Sequence, residues 1–253
     1  MSLNYGGSSG SSFLNFDQRK PQNSFAGKTI AFCLPGLMYS GTFMTQFMRL
    51  LFDLQGMGIN FYISQKYSSM VNHARSDCLE ADNYAGTMLT PFRGKVPYDY
   101  IMWIDSDMIF KTEDLMDLLA MDKDVAAGWY VQSPGNGLIP TSDTTVVINA
   151  DKKELYEKGS NKCETVEDMT KKTGPFTADY CGFGWVLVKK GVYEKIPYPW
   201  FVPRVVQLKK PDGTILEDVQ SEDISMCEDF RKHGFDIWIN PKVRVGHHKL
   251  VAL

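Results

Sequence analysis

Residues 98 to 110 read YDYIMWIDSDMIF. The run YIMWI has the length and the aromatic and β-branched content of a buried strand. It then ends in Asp105 and Asp107, with only Ser106 between them. Ionised carboxylates are costly to bury unless they are paired or bound to a metal. Alternate residues of a strand share a face, so an extended chain through Asp107 would aim both carboxylates at one point. The chain is therefore expected to build a sheet whose tip holds negative charge for a ligand.

The flanking sequence predicts what kind of sheet this is. KTIAFCLPG reads as a strand and a loop, and SGTFMTQFMRLLFDLQGMG follows with Phe43, Phe47, Leu50, Leu51 and Leu54 at helical spacing. Ser40 is the expected cap of that helix, and Gly56 or Gly58 its stop. INFYISQKY predicts a second strand, and SSMVNHARSDCLEADNY a second helix capped by Ser68 or Ser69. After the DSD strand, Thr112 is the expected cap of TEDLMDLLAMDKD, whose Glu113 and Asp114 suit a helix N-terminus. DVAAGWYVQ returns as a strand. Strands alternating with helices predict an α/β fold, a mixed and mostly parallel Rossmann-like sheet flanked by helices.

Beyond Gln132 the regularity lapses until ADYCGFGWVLVKKGVYEKI, and a stretch that long predicts a lid or a mobile loop. SEDISMCEDFRKHGFDIWINPKVRVGHHK closes the pattern, with Ser221 as a cap, a stop at Gly234 and a final strand bearing His247 and His248. The first 27 residues, rich in Gly, Ser, Asn and Gln, are expected to be a flexible arm. Residues 28–253 are expected to form one domain.

Composition narrows the function classes. Hydrophobic residues make up 43% of the 253, enough for a full core, and the formal net charge of -3 argues against a nucleic-acid partner. The five cysteines are odd in number and form no CxxC pair, so neither a disulfide framework nor a zinc knuckle is expected. No apolar run reaches the roughly 20 residues of a membrane span, and a cytoplasmic location is expected.

In open α/β sheets, ligands bind beyond the carboxyl ends of the strands, where the DSD tip is expected to lie. Hard carboxylate oxygens there suit Mg2+ or Mn2+ on a diphosphate. The plainer reading is a polar strand end leading into the Thr112 helix.

Five features in order, the DxD strand end, VNHARSDCL, GFGWVLV, SED at a helix start and VGHHK, resemble the GT-A glycosyltransferases. The likeness runs from about Lys28 to Lys249 and is strongest to small single-domain bacterial, phage or large-virus members. It implies a nucleotide-sugar donor (UDP- or GDP-sugar), a glycan or other hydroxyl acceptor, and Mn2+ or Mg2+. By that likeness Asp107 would ligate the metal, Asp105 would ligate it or lie near the ribose, and His247, in preference to His248, would supply a further ligand. Lys249 would reach a phosphate, and Arg75 the diphosphate or base. Leu34, Pro35 and Gly36 would sit beside the base, while Gly182 and Gly184 would let backbone approach the donor sugar, with Trp185 available for stacking. Trp129, Tyr130, Trp200 and Phe201 are candidates for the acceptor side. Asp223, paired with Glu222, would be the catalytic base, and Asp179 a rival acid that binds donor or acceptor sugar.

Two other readings remain. A nucleotidyltransferase also uses carboxylate-held Mg2+, although CLPGLMYSG lacks the glycine-rich, basic character that cradles a triphosphate. A non-catalytic carbohydrate-binding protein could retain the same fold.

Overall fold

A computed structural model describes residues 24–80, 89–132, 143–149, 162–210 and 212–248. The proposed arm is thus largely outside the described residues, of which only 24–27 remain, as a turn tied down by the Gly27 N–H on the Gly58 carbonyl at 2.8 Å. The elements in chain order are β1 (Thr29–Pro35), α1 (Gly41–Gly56), β2 (Asn60–Lys66), α2 (Val71–Cys78), β3 (Tyr100–Ile104), β4 (Met108–Ile109), α3 (Thr112–Ala120) and β5 (Val125–Trp129). They continue with β6 (Thr144–Asn149), β7 (Lys162–Thr165), α4 (Val166–Lys171), β8 (Phe176–Ala178), β9 (Trp185–Lys189), β10 (Arg204–Lys209), β11 (Ile215–Gln220), α5 (Glu222–Lys232), β12 (Ile237–Arg244) and β13 (Gly246–His247).

Seven strands form the central sheet in the order β2-β1-β3-β9-β5-β12-β8. Strands β2, β1, β3, β5 and β12 run parallel, while β9 and β8 run against their neighbours, so the expected mixed, mostly parallel α/β sheet is the observed one. Alternation along the strands sends side chains to two separate cores. Ile30, Phe32, Met102 and Ile104 pack on one face with Phe43, Phe47, Leu50 and Leu54 of α1 and with Leu115, Leu118 and Leu119 of α3. Ala31, Cys33, Ile101 and Trp103 pack on the other with Cys78 of α2 and with Met226, Cys227 and Phe230 of α5. Both faces being covered explains why YIMWI is apolar at every position.

Several local expectations change. The DSD segment is a turn and not the continuation of β3. Thr112 is the first helical residue of α3, and Lys111 is the cap residue, its N–H donating to the Asp114 carboxylate at 2.8 Å. The Thr112 hydroxyl is drawn instead to Asp53 of α1, at 2.5 Å. Met70 caps α2 without a side-chain bond. Part of the irregular stretch after Gln132 is ordered: β6 and β7 pair with each other, and β6 is fastened to the sheet through Val146 N–H to the Tyr130 carbonyl at 3.1 Å and Gly182 N–H to the Val146 carbonyl at 3.2 Å. Trp129, Tyr130, Trp185, Trp200 and Phe201 are all buried, so none offers a free face to a sugar. Trp185 packs its ring on Phe110, with centroids 4.8 Å apart.

Candidate functional site

The carboxyl ends of the parallel strands converge on the DSD turn. Asp105 N–H donates to the Gly184 carbonyl at 3.2 Å, and Met108 N–H donates back to the Asp105 carbonyl at 3.1 Å, which closes the turn. The chain resumes as β4, which pairs antiparallel with β13 so that His247 stands opposite Met108. The turn breaks the period-two register, and the two aspartates part company as a result. The expectation that both face one ion as neighbours on a strand fails for this reason.

Asp107 faces His247. Its Oδ2 lies 3.1 Å from Nε2 of the ring, while Nδ1 lies 3.0 Å from the Val131 carbonyl oxygen. A carbonyl only accepts, which assigns a proton to Nδ1. A neutral ring would then turn the Nε2 lone pair toward a carboxylate, so this pair calls for a positive charge between its members, either a proton or a divalent cation. Donation of the far ring N–H to a backbone carbonyl is also how metal-ligating histidines are commonly oriented. The residues present therefore fit a cation held by Asp107 and His247. Among the described residues, no three His, Cys, Asp or Glu side chains gather closely enough to hold an ion by themselves. His248 is exposed and contributes its backbone N–H to the Asp107 carbonyl at 2.7 Å. Lys249 lies outside the described residues.

Asp105 faces the other way, toward Arg75 of α2. The guanidinium Nη2 donates to Asp105 Oδ2 at 3.2 Å, and Nη1 lies 3.1 Å from Oδ1 without an aligned hydrogen bond. Arg75 Nε reaches Glu222 Oε1 at 3.4 Å. Arg75 is only 3% exposed. Burial works to lower its pKa, but Asp105, Asp223 and Glu222 outweigh that and raise it, so the cation is secure. Glu222 is raised above the ordinary glutamate value, first by burial and then by Asp223, with Arg75 opposing. Asp223 stands half-buried in the first turn of α5, where its Oδ1 accepts from the Ser221 hydroxyl and from Ile224 N–H at 3.1 Å. Ser221 thus serves the carboxylate rather than capping the helix with its own side chain.

Beside the turn, a cleft of about 410 Å³ is lined by Pro35, Gly36, Leu37, Met38, Tyr67 and Ser106 among others. A Cβ on Gly36 would meet Ser106 Cβ at 2.7 Å, so only glycine lets the β1 loop close on the turn. Tyr39 holds that loop by donating to the Leu34 carbonyl at 2.9 Å. Leu37 and Met38 are 62% and 80% exposed, leaving an apolar rim. Leu34 is itself in the core, on the α1 face.

Gly182 and Gly184 lie against Tyr130: a Cβ would come within 2.5 Å and 2.7 Å of its hydroxyl oxygen. That hydroxyl accepts Gly184 N–H at 3.1 Å, and the Tyr130 ring meets His247 edge-on with centroids 5.0 Å apart. Asp179 is engaged by Arg231 at 2.7 Å. Val131, Tyr39 and Tyr130 thus shape the site through backbone and packing contacts. No motif marks such residues in a sequence.

No family model matches the chain, and no curated protein matches it. Among solved structures it is similar to GalNAc-T7, crystallised with UDP, GalNAc and Mn2+, at 8% identity and a TM-score of 0.44 over 90% of this chain and 45% of that one. It is also similar to S. aureus TarS 1-349, at 9% identity and a TM-score of 0.40 over 87% of this chain and 60% of that one. The chain thus spans less than two thirds of either.

Proposed function

We propose that the protein is a metal-dependent glycosyltransferase of the GT-A type, moving a sugar from a nucleoside-diphosphate donor, UDP- or GDP-linked, to a hydroxyl acceptor. The observation that carries the reading is the contact between Asp107 Oδ2 and His247 Nε2, a carboxylate and a ring nitrogen that call for a cation at a strand tip. Asp107 and His247 would hold Mn2+ or Mg2+, which when bound offsets the charge that builds on a departing diphosphate. An imidazole in the ligand set favours Mn2+.

This chain's own residues supply the rest. The apolar cleft at Gly36 and Ser106 takes the nucleoside. Asp223 accepts the acceptor proton as the hydroxyl oxygen bonds to the sugar C1, and the bond from C1 to the diphosphate oxygen breaks with its electron pair leaving on the diphosphate.

Calorimetry of Mn2+ and nucleoside diphosphate, followed by hydrolysis of nucleotide sugars, tests the reading. Wild-type protein should bind the nucleotide in a metal-dependent way and release nucleoside diphosphate. Asp107→Ala should abolish both while the thermal midpoint stays near that of wild type. Full turnover by that variant in metal would refute the assignment. Release of pyrophosphate would indicate nucleotidyl transfer, and sugar binding indifferent to metal would indicate a carbohydrate-binding protein.

A further inference from the structure

Arg75 is enclosed by three aromatic rings and two carboxylates. Trp103 of β3, Phe183 and Phe201 present rings with centroids 5.9, 5.5 and 6.0 Å from its guanidinium carbon. Phe201 does so from a φ of +58°, a conformation that is costly for an aromatic residue and persists only where its surroundings enforce it. The neighbouring Trp200 carbonyl accepts the Ser76 hydroxyl at 3.0 Å, so the strained segment is also fastened to α2 beside Arg75. One edge of the fork meets Asp105 and Nε meets Glu222, residues 30 and 147 positions away in the sequence.

We propose that Arg75 is a positioning residue. Its rigid guanidinium sets the spacing between the DSD turn, which presents Asp107, and the first turn of α5, which presents Asp223, and it touches neither donor nor acceptor. This inference rests on the reading of the cleft as a glycosyl-transfer site. Three features separate it from a phosphate-binding arginine: 3% exposure, both η nitrogens turned to Asp105, and Nε turned to Glu222. A purely structural ion pair would be a poor use of the position, because replacing buried ion pairs with apolar residues of similar volume is often neutral for stability. A fixed fork is what a lysine or methionine cannot reproduce, and misplacement of reacting groups by about 1 Å can cost about 100-fold in rate.

The test measures kcat, donor KM, nucleotide Kd with Mn2+ and thermal midpoint for wild type, Arg75→Met, Arg75→Lys and Arg75→Ala. Arg75→Met should lose about 100-fold in kcat with KM and Kd within about threefold of wild type. Lysine should recover only a minor part, and added guanidinium should restore at least about tenfold of the loss in Arg75→Ala. A Kd raised by about tenfold or more with kcat retained would make Arg75 a ligand contact and overturn the inference. So would activity that falls only in proportion to the folded fraction.

If the Arg75 variants do not fold, Glu222→Gln loosens one arm of the clamp while keeping its shape. A lower kcat at unchanged KM with the wild-type pH profile then supports the inference, and an unchanged kcat, or a shifted pH profile that traces the loss to Asp223, overturns it. Wild-type protein that turns over no nucleotide sugar refutes the reading of the cleft together with this inference. An active wild type with an equally active Arg75→Met refutes this inference alone.

Discussion

Glu222 carries a cost that can be measured. Burial and the neighbouring Asp223 raise its carboxyl, with Arg75 opposing, so the protonated form suits the fold better than the charged one. A carboxyl raised in the folded state contributes stability that is complete below its unfolded pKa and is lost as pH rises through the folded value. Glu222→Gln, which keeps the shape without the charge, should therefore raise the thermal midpoint at about pH 7, and the gain should vanish near pH 4. Melting curves of both proteins across that range check the sign. A second residue-scale prediction concerns Gly184, where an added Cβ would lie 2.7 Å from the Tyr130 hydroxyl and 2.9 Å from Met108 Sδ. Gly184→Ala should cost about 1–3 kcal/mol in urea denaturation and weaken Mn2+ binding by tilting Tyr130 against His247. The glycine was visible in the sequence, but its reason was not, because its partner lies 54 positions away. Arg75 is a similar case: the sequence offers it as a diphosphate or base contact, and the distant aromatics that bury it leave no local signal.

Elements whose signals are local were legible, and those decided by distant partners were not. The α1 helix begins where expected because Ser40 Oγ accepts Phe43 N–H at 3.0 Å, and α5 stops where Gly234 takes a φ of +84°. Ser40→Ala should accordingly cost about 1 kcal/mol in chemical denaturation, with nucleotide binding unchanged. Thr112 looked equally good as a cap, but Asp53, 59 positions away, captures its hydroxyl. The DSD turn belongs to the same class. Period-two alternation predicted one shared face, whereas pairing of β4 with β13 and the bond from Asp105 N–H to Gly184 bend the chain and divide the two acids between Arg75 and His247. The segment after Gln132 was read as irregular because the pairing that orders β6 involves Tyr130 and Gly182, contacts no local window contains.

At the scale of the molecule, the sheet holds two cores, and the site is assembled at one end of it from residues that follow β1, β3, β5 and β12, together with Arg75 of α2 and the first turn of α5. This is the end where open α/β sheets bind ligands, and the sequence points to it through the acidic pair that follows the apolar YIMWI run. The arrangement separates what stabilises the chain from what binds. Val243 and Val245, on the last long strand and just after it, belong to the core under α1 and α3, whereas Gly246 and His247 add only a short pairing with β4. Removing residues 246–253 should leave a cooperative unfolding transition, weakened by about 1–3 kcal/mol, and should abolish metal-dependent nucleotide binding. His247→Ala should abolish the same binding with stability near wild type, which separates the ligand from the strand. Trp103→Ala, at the centre of the other core, should cost about 3–5 kcal/mol and impair folding itself. Denaturation curves and calorimetry with Mn2+ distinguish the three. If the chain shortened at Val245 still binds nucleotide only when metal is present, His247 is no ligand and the cation must be held elsewhere.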